Sequence, residues 1–383
     1  MATLTKRLPY GRQDVREEDV NAVLEVLRSD WLTTGPEVPA FEKALAKTVG
    51  AAEAVAVSSG TAALHASYAA LGIGPGDEVI VPAMTFAATS NAVLYLGARP
   101  VFADVERDTL LIDSKDVERK ITSRTRAIVA VDYAGQPCDY DALQALARSH
   151  GLPLVADACH ALGAAFRERP VGSLADLTVF SFHPVKTITT GEGGMITTND
   201  PGRARWIRAF RNHGITTDHR ERAESGTSSY DMVLLGYNYR LTDFQAALGR
   251  QQLTRLTEIL DRRRALASLY DRKLAGTSHA LPLSRIPDRS HANHLYVVRL
   301  DTAALGLSQA QALAKLRDAG VGGNVHYRPP YLHPYYRSTL GTSDGLCPVA
   351  EAAARQIITL PLFPQMTEAD VDTVVEAIGS LPR

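Results

Sequence analysis

Between Ala54 and Thr198, short apolar runs alternate with longer helical stretches, and this alternation admits few architectures. The runs at 54–57, 78–81, 101–103, 127–131 and 152–156 are rich in β-branched residues and bounded by Gly, Pro or Asp. Such runs predict buried strands. The segments at 62–71, 87–96 and 140–149 predict helices between them. Strand–helix repeats of this kind build a mostly parallel sheet covered by helices. Two more strands are expected at 178–181 and 194–197, followed by one long helical stretch over 243–266. From about Asn293, expected strands at 295–300 and 321–326 mix with expected helices at 309–319 and 368–378. The predicted fold class is therefore α/β, with a large domain over residues 1–250 and a smaller C-terminal α+β domain over 251–383. A chain of 383 residues is long enough for two cores.

Charge and composition narrow the function. Lys plus Arg (41) nearly balances Asp plus Glu (42), for a net charge of −1, so the basic excess of a nucleic-acid binder is missing. No apolar run approaches the length of a membrane span. The Met1–Arg7 stretch carries charge with no apolar core behind it, which predicts no secretory signal. Cys138, Cys159 and Cys347 are odd in number and widely spaced. They predict neither a disulfide framework nor a metal site, and they suit a reducing cytoplasm.

In parallel sheets, ligands bind beyond the carboxyl ends of the strands, so the residues there carry the functional signal. Asp157 ends the apolar run at 152–156. A buried carboxylate needs a cationic partner, and the protonated pyridine nitrogen of pyridoxal 5′-phosphate (PLP) is one; a helix N-cap is the competing role. Lys186 follows the strand-ending Ser181 by five residues, in a loop rich in Gly and Thr. It could be a solvated loop residue or an amine that holds an aldehyde covalently. Ser59-Gly60-Thr61 joins a strand to a helix, a natural place for a phosphate because helix N-termini carry unpaired N–H groups. Ser181 is a second candidate phosphate donor, and Phe86, after another strand, could stack on a flat ring or serve the core. Gly72-Ile73-Gly74-Pro75-Gly76 precedes a strand instead of following one, which argues against a dinucleotide fingerprint.

With these residues in place the chain resembles the DegT-type sugar aminotransferases, PLP enzymes of fold type I. The likeness runs nearly end to end, through Trp31-Leu32-Thr33-Thr34-Gly35-Pro36, Ser59-Gly60-Thr61-Ala62-Ala63-Leu64, Val81-Pro82-Ala83-Met84-Thr85-Phe86, Gly236-Tyr237-Asn238-Tyr239-Arg240-Leu241, Val325-His326-Tyr327 and Leu360-Pro361-Leu362-Phe363-Pro364. The resemblance implies that Lys186 is the covalent anchor and proton carrier, Asp157 the partner of the pyridine nitrogen, and Phe86 a stacking ring. It implies that Gly60, Thr61 and Ser181 hold the phosphate. Asn238 would reach the phosphate of a neighbouring subunit, so a homodimer with shared sites is expected.

Some positions depart from the commonest family pattern. His160 stands where most members place Gln, near the ring's phenolic oxygen; Thr34 also replaces a frequent Gln, and Asp132-Tyr133-Ala134-Gly135 replaces a His-containing segment. These departures resemble the UDP-4-keto-sugar aminotransferases of the pseudaminic acid pathway. By that likeness Tyr10, Thr33, His183, His326, Tyr327, Arg328 and Pro329 face the sugar nucleotide, although His183 and His326 could equally be hydrogen-bonded structural histidines. The expected partners are a nucleotide sugar and L-glutamate.

Overall fold

The computed structural model describes residues 7–217, 222, 226 and 229–382; residues 1–6, most of the stretch expected to hold no leader, lie outside them. Strands β1 (Glu53–Val57), β2 (Glu78–Pro82), β3 (Arg99–Ala103), β4 (Thr125–Val131) and β5 (Leu154–Asp157) occupy the predicted runs. Two-residue strands β6 (Ala165–Phe166) and β7 (Arg169–Pro170) precede β8 (Leu177–Ser181) and β9 (Gly194–Thr198). Seven of these form one sheet in the order β1-β9-β8-β5-β4-β2-β3. The pairs β2–β3, β2–β4, β4–β5 and β5–β8 are parallel, while β9 runs against both β8 and β1. Every residue of β2, β5 and β9 is buried, as expected of strands covered on both faces.

The covering helices begin where local chemistry supplies a cap. Ser59 accepts from Ala62 N (3.1 Å) at the head of α3 (Gly60–Ala70). Asp139 does the same for the helix Tyr140–Ser149, and Asp200, followed by Pro201, for the helix Pro201–Phe210. Two helices the sequence reading omitted, Glu17–Leu27 and Glu37–Val49, pack against the helix Asp243–Leu253. Buried Asp243 fixes this junction by accepting from Gly35 N (2.7 Å) and Glu37 N (2.9 Å).

The expected helix over 243–266 is two helices, Asp243–Leu253 and Leu256–Leu274. The break falls at Thr254 and Arg255, whose amides bond three residues back, to Gln251 O and Gln252 O. The Arg255 guanidinium reaches away to Asp19 (2.5 Å) and Asp14 (3.2 Å).

In the C-terminal part, strands Ala280–Pro282, Tyr296–Leu300 and Ile357–Leu360 form an antiparallel sheet. The expected strand over 321–326 does not form: Val321 makes one bridge to Leu8 and Asn324 one to Thr359. Gly322 lies so close to the Leu8 carbonyl that the N-terminal segment takes the place of a neighbouring strand. The buried apolar residues fall into two clusters. One fills both sides of the large sheet, and the other joins Leu8, Leu266, Tyr270, Val298, Leu316, Leu360 and Val371.

One close approach ties β9 to the head of α3. A Cβ added at Gly194 would lie 2.5 Å from the Ser59 carbonyl carbon and 2.8 Å from Gly60 N, closer than real carbon contacts allow. The Gly194→Ala protein is expected to lose about 1–3 kcal/mol of stability in urea denaturation. Ala at solvent-open Gly74 should change stability far less, and equal effects at the two positions would contradict this packing.

Candidate active site

A cleft of about 570 Å³ opens beyond the carboxyl ends of β4, β5 and β8. On the sheet side it is lined by Gly60, Thr61, Phe86, Asp157, His160, Ser181, His183 and Lys186. Tyr10, Asn324, Val325, His326 and Tyr327 close it from the C-terminal side. Eleven of the fifteen expected site residues meet in this one space.

Asp157 is the last residue of β5, paired to Val131 and Val179 on either side and only 6% exposed. No helix follows it, so the N-cap role lapses. Its Oδ2 accepts from Thr89 Oγ1 (2.7 Å) and its Oδ1 from Cys159 N (3.2 Å). It forms no ion pair with any described residue within 4.0 Å.

Lys186 sits in a loop folded back on itself. Phe182 N bonds to Gly193 O (2.9 Å), Thr190 N to Phe182 O (3.0 Å), and Lys186 N to His183 O (2.9 Å). Gln252 anchors the loop from outside by accepting from Thr189 N (3.0 Å). Burial lowers the Lys186 pKa from the ordinary lysine value, partly opposed by Cys159 and Asp157, which eases release of its proton.

At the head of α3, Ser59 caps Ala62 N, which leaves the Gly60 and Thr61 amides without intrahelical partners. A side chain at Gly60 would press on Ser181, 3.0 Å from its Cβ, and on Cys159 Sγ, at 3.4 Å. Glycine here lets strand end and helix head pack closely, and the unpaired amides form a cradle suited to an anion.

Three imidazoles complete the wall. His160 meets the Tyr327 hydroxyl through Nε2 (2.9 Å) and lies 4.6 Å, ring to ring, from His294. His326 is held through Nδ1 by Thr359 Oγ1 (2.8 Å), and its carbonyl accepts from the Tyr133 hydroxyl. Burial, reinforced by the Lys186 charge, lowers the pKa of His160 and His294 well below the ordinary value and that of His326 to about 4. All three are neutral near pH 7. Phe86, 59% exposed, presents its ring 5.8 Å from that of Tyr327.

Four expected residues lie off this cleft. Thr33 bridges to Thr242, and exposed Asn238 bridges to Asn212, both on a different surface. Exposed Arg328 turns to the Leu332 carbonyl (2.7 Å), and Pro329 is buried at the start of the turn Pro330–Leu332. Sequence reasoning missed Thr85, Cys159, Glu192, His294 and Asn324 as lining residues. Cys159 and Thr85 stood inside strand-end segments already singled out. His294 could not be found that way, because it precedes the strand Tyr296–Leu300 instead of following one.

PLP suits the donors present. The amine, the carboxylate lacking a cation, the anion cradle and the exposed ring answer its aldehyde, pyridine nitrogen, phosphate and flat face in turn. The model of the DegT/DnrJ/EryC1/StrS aminotransferase family matches residues 13–379. The spore coat polysaccharide biosynthesis protein SpsC of Bacillus subtilis is 41% identical over 98% of this chain and 97% of its own length. The putative sugar aminotransferase Spr1654 of Streptococcus pneumoniae in its PMP-form superposes with a TM-score of 0.93 at 34% identity, covering 98% of both chains; it is also known in a PLP-form. Helicobacter pylori PseC, an aminotransferase involved in the biosynthesis of pseudoaminic acid, gives 0.92 at 32% identity over 98% of this chain and 99% of its own. A strand-end lysine and carboxylate in one cleft, in a chain alike from end to end with these proteins, belong to the DegT/DnrJ/EryC1/StrS aminotransferase family: the chain is a member, and a PLP-dependent aminotransferase.

Proposed function

We propose that the protein moves an amino group from L-glutamate to C4 of a nucleotide-linked 4-keto-6-deoxy sugar, UDP-2-acetamido-2,6-dideoxy-β-L-arabino-hex-4-ulose. The observation that carries the amino-transfer reading is the convergence of Lys186 and Asp157 at neighbouring strand ends in one cleft. When bound, PLP supplies the electron sink that carbanion chemistry requires. In this reading Lys186 Nζ would anchor the cofactor, then carry the proton from the donor's α-carbon to the cofactor's C4′, and in the acceptor half-reaction move a proton the opposite way, from C4′ to the sugar's C4. Asp157 holds a proton on the pyridine nitrogen. Gly60, Thr61 and Ser181 fix the phosphate, and Phe86 covers the ring face.

The choice of sugar rests on the likeness to PseC together with the segments Val131-Asp132-Tyr133-Ala134-Gly135 and His160-Ala161-Leu162-Gly163. Both border the cleft through Val131 and His160. Tyr10, His183, His326 and Tyr327, which line the cleft, are assigned to the sugar nucleotide; the family likeness adds Thr33, Arg328 and Pro329, which lie off it. Neutral imidazoles suit sugar hydroxyls, which both donate and accept.

Asn238 is assigned to the phosphate site of a second subunit. Supporting this, Tyr230, Met232, Val233, Leu235 and Tyr237 are exposed in one short stretch beside it, Leu235 by 79%, an apolar surface that a soluble protein usually covers. No described helix is long and apolar enough to cross a membrane. The three cysteines are unpaired, which supports placing the reaction in a reducing cytoplasm.

Borohydride reduction of the yellow holoenzyme is expected to fix the cofactor to the peptide containing Lys186. Mass spectrometry showing label on another lysine would overturn that assignment. Asp157→Asn should fold yet transfer amino groups slower by on the order of 100-fold or more, since an amide cannot offset a buried cation; near-normal turnover with PLP bound would exclude the pairing. Mixing inactive Lys186→Ala with inactive Asn238→Asp protein should restore activity, because one hybrid site regains both residues. No recovery after confirmed subunit exchange would exclude shared sites. Given UDP-, GDP- and dTDP-linked 4-ketosugars singly, the enzyme should release 2-oxoglutarate and form aminated product fastest with the UDP-linked L-arabino compound. Preference for a GDP- or dTDP-linked sugar would replace the substrate and keep the reaction class.

A further inference from the structure

Thr89 belongs to α4 (Ala87–Tyr95), sixty-eight residues before Asp157, and is fully buried. Its hydroxyl donates to Asp157 Oδ2 at 2.7 Å and lies 2.7 Å from the equally buried hydroxyl of Thr85. A carboxylate only accepts, so the single Thr89 proton is committed to Asp157, and Thr85 must donate to Thr89. The order Thr85 to Thr89 to Asp157 is thereby fixed, and each link polarises the next.

The backbone that carries Thr89 is held from several sides. The buried Tyr68 hydroxyl donates to Thr89 O (3.1 Å) and Thr89 N to Phe86 O (3.2 Å). Ser90 Oγ meets the Tyr336 hydroxyl at 2.7 Å, which ties the same turn to the C-terminal part. That turn also carries Phe86, exposed to the cleft. With Cys159 N on Oδ1, each carboxylate oxygen has one neutral donor, which fixes the carboxylate plane and leaves capacity for a cation.

We propose that Thr89, backed by Thr85, is a positioning residue that orients the Asp157 carboxylate towards the pyridine nitrogen of PLP. This rests on the reading that Asp157 meets that nitrogen. A hydrogen bond to a charged group contributes about 1.5–3 kcal/mol, so its loss should weaken cofactor binding by about tenfold or more.

The test uses the full-length protein stripped of cofactor, with affinity read by fluorescence quenching for PLP and for its 1-deaza analogue, which has carbon in place of the ring nitrogen. Thr89→Val keeps the shape and removes the donor. It should bind PLP about tenfold more weakly than the unaltered protein but bind the deaza analogue within about twofold of it. Thr89→Ser should restore PLP affinity, and Thr85→Val should show a smaller PLP-specific loss. Equal losses for both ligands, or none for either, would overturn the proposal. Thr85→Val also tests the chain should Thr89→Val fail to fold: no PLP-specific loss there would again overturn it. Asp157→Asn distinguishes the underlying reading. If it shows no PLP-specific loss, the pairing of Asp157 with the nitrogen fails; if it does and the threonine variants do not, only the role of Thr89 fails.

Discussion

A carboxylate at the end of a central buried strand is the constraint around which the cleft is arranged. Asp157 stands on β5, the middle strand of seven, and water reaches little of it. Leaving a charge there unpaired would cost several kcal/mol. Nearby groups offset this with neutral donors from Thr89 and Cys159 and the field of Lys186. The same burial that makes Asp157 costly lowers the Lys186 pKa, so one desolvated space prepares both a stable anion and a reactive amine.

Besides Asp157, Lys186 and Glu192, no described Asp, Glu, Lys or Arg lines this space. Burial and the Lys186 amine hold His160, His294 and His326 in their neutral forms. They offer hydrogen bonds without adding positive charge to the cleft. The part of the cleft suited to an anion is the head of α3, with its unpaired amides and neighbouring hydroxyls. A chain of net charge −1 can therefore bind an anionic ligand locally without a basic surface.

The large sheet was legible because its strands are buried on both faces and read as continuous apolar runs, and strand ends then pointed to Asp157, Ser181 and Phe86. What escaped depends on contacts between distant segments. Nothing local marks Thr89 as the partner of Asp157, or Arg255 as a helix break set by Asp14 and Asp19. The alternation at 321–326 suggested a strand, but Gly322 admits the Leu8 backbone and interrupts the pairing. His294 entered the cleft from the starting end of a strand, outside the rule that found the others.

The wall facing the sheet is built from segments at the two ends of the chain. Tyr10 O accepts from Leu362 N (3.1 Å), Leu8 bonds to Gly320 and Gly322, and His326 to Thr359, so the N-terminal segment is tied to the C-terminal sheet. Around the cleft these segments meet the sheet side through Tyr133 to the His326 carbonyl, His160 to Tyr327, and Tyr327 N to Met84 Sδ, and further away through links such as Ser90 to Tyr336 and Asp104 to the Val349 and Ala350 amides. Tyr10, His326 and Tyr327 on these segments border the same cleft as Asp157, Lys186 and the head of α3. A fold of this kind can keep its buried strand ends unchanged while the segments that face them across the cleft differ.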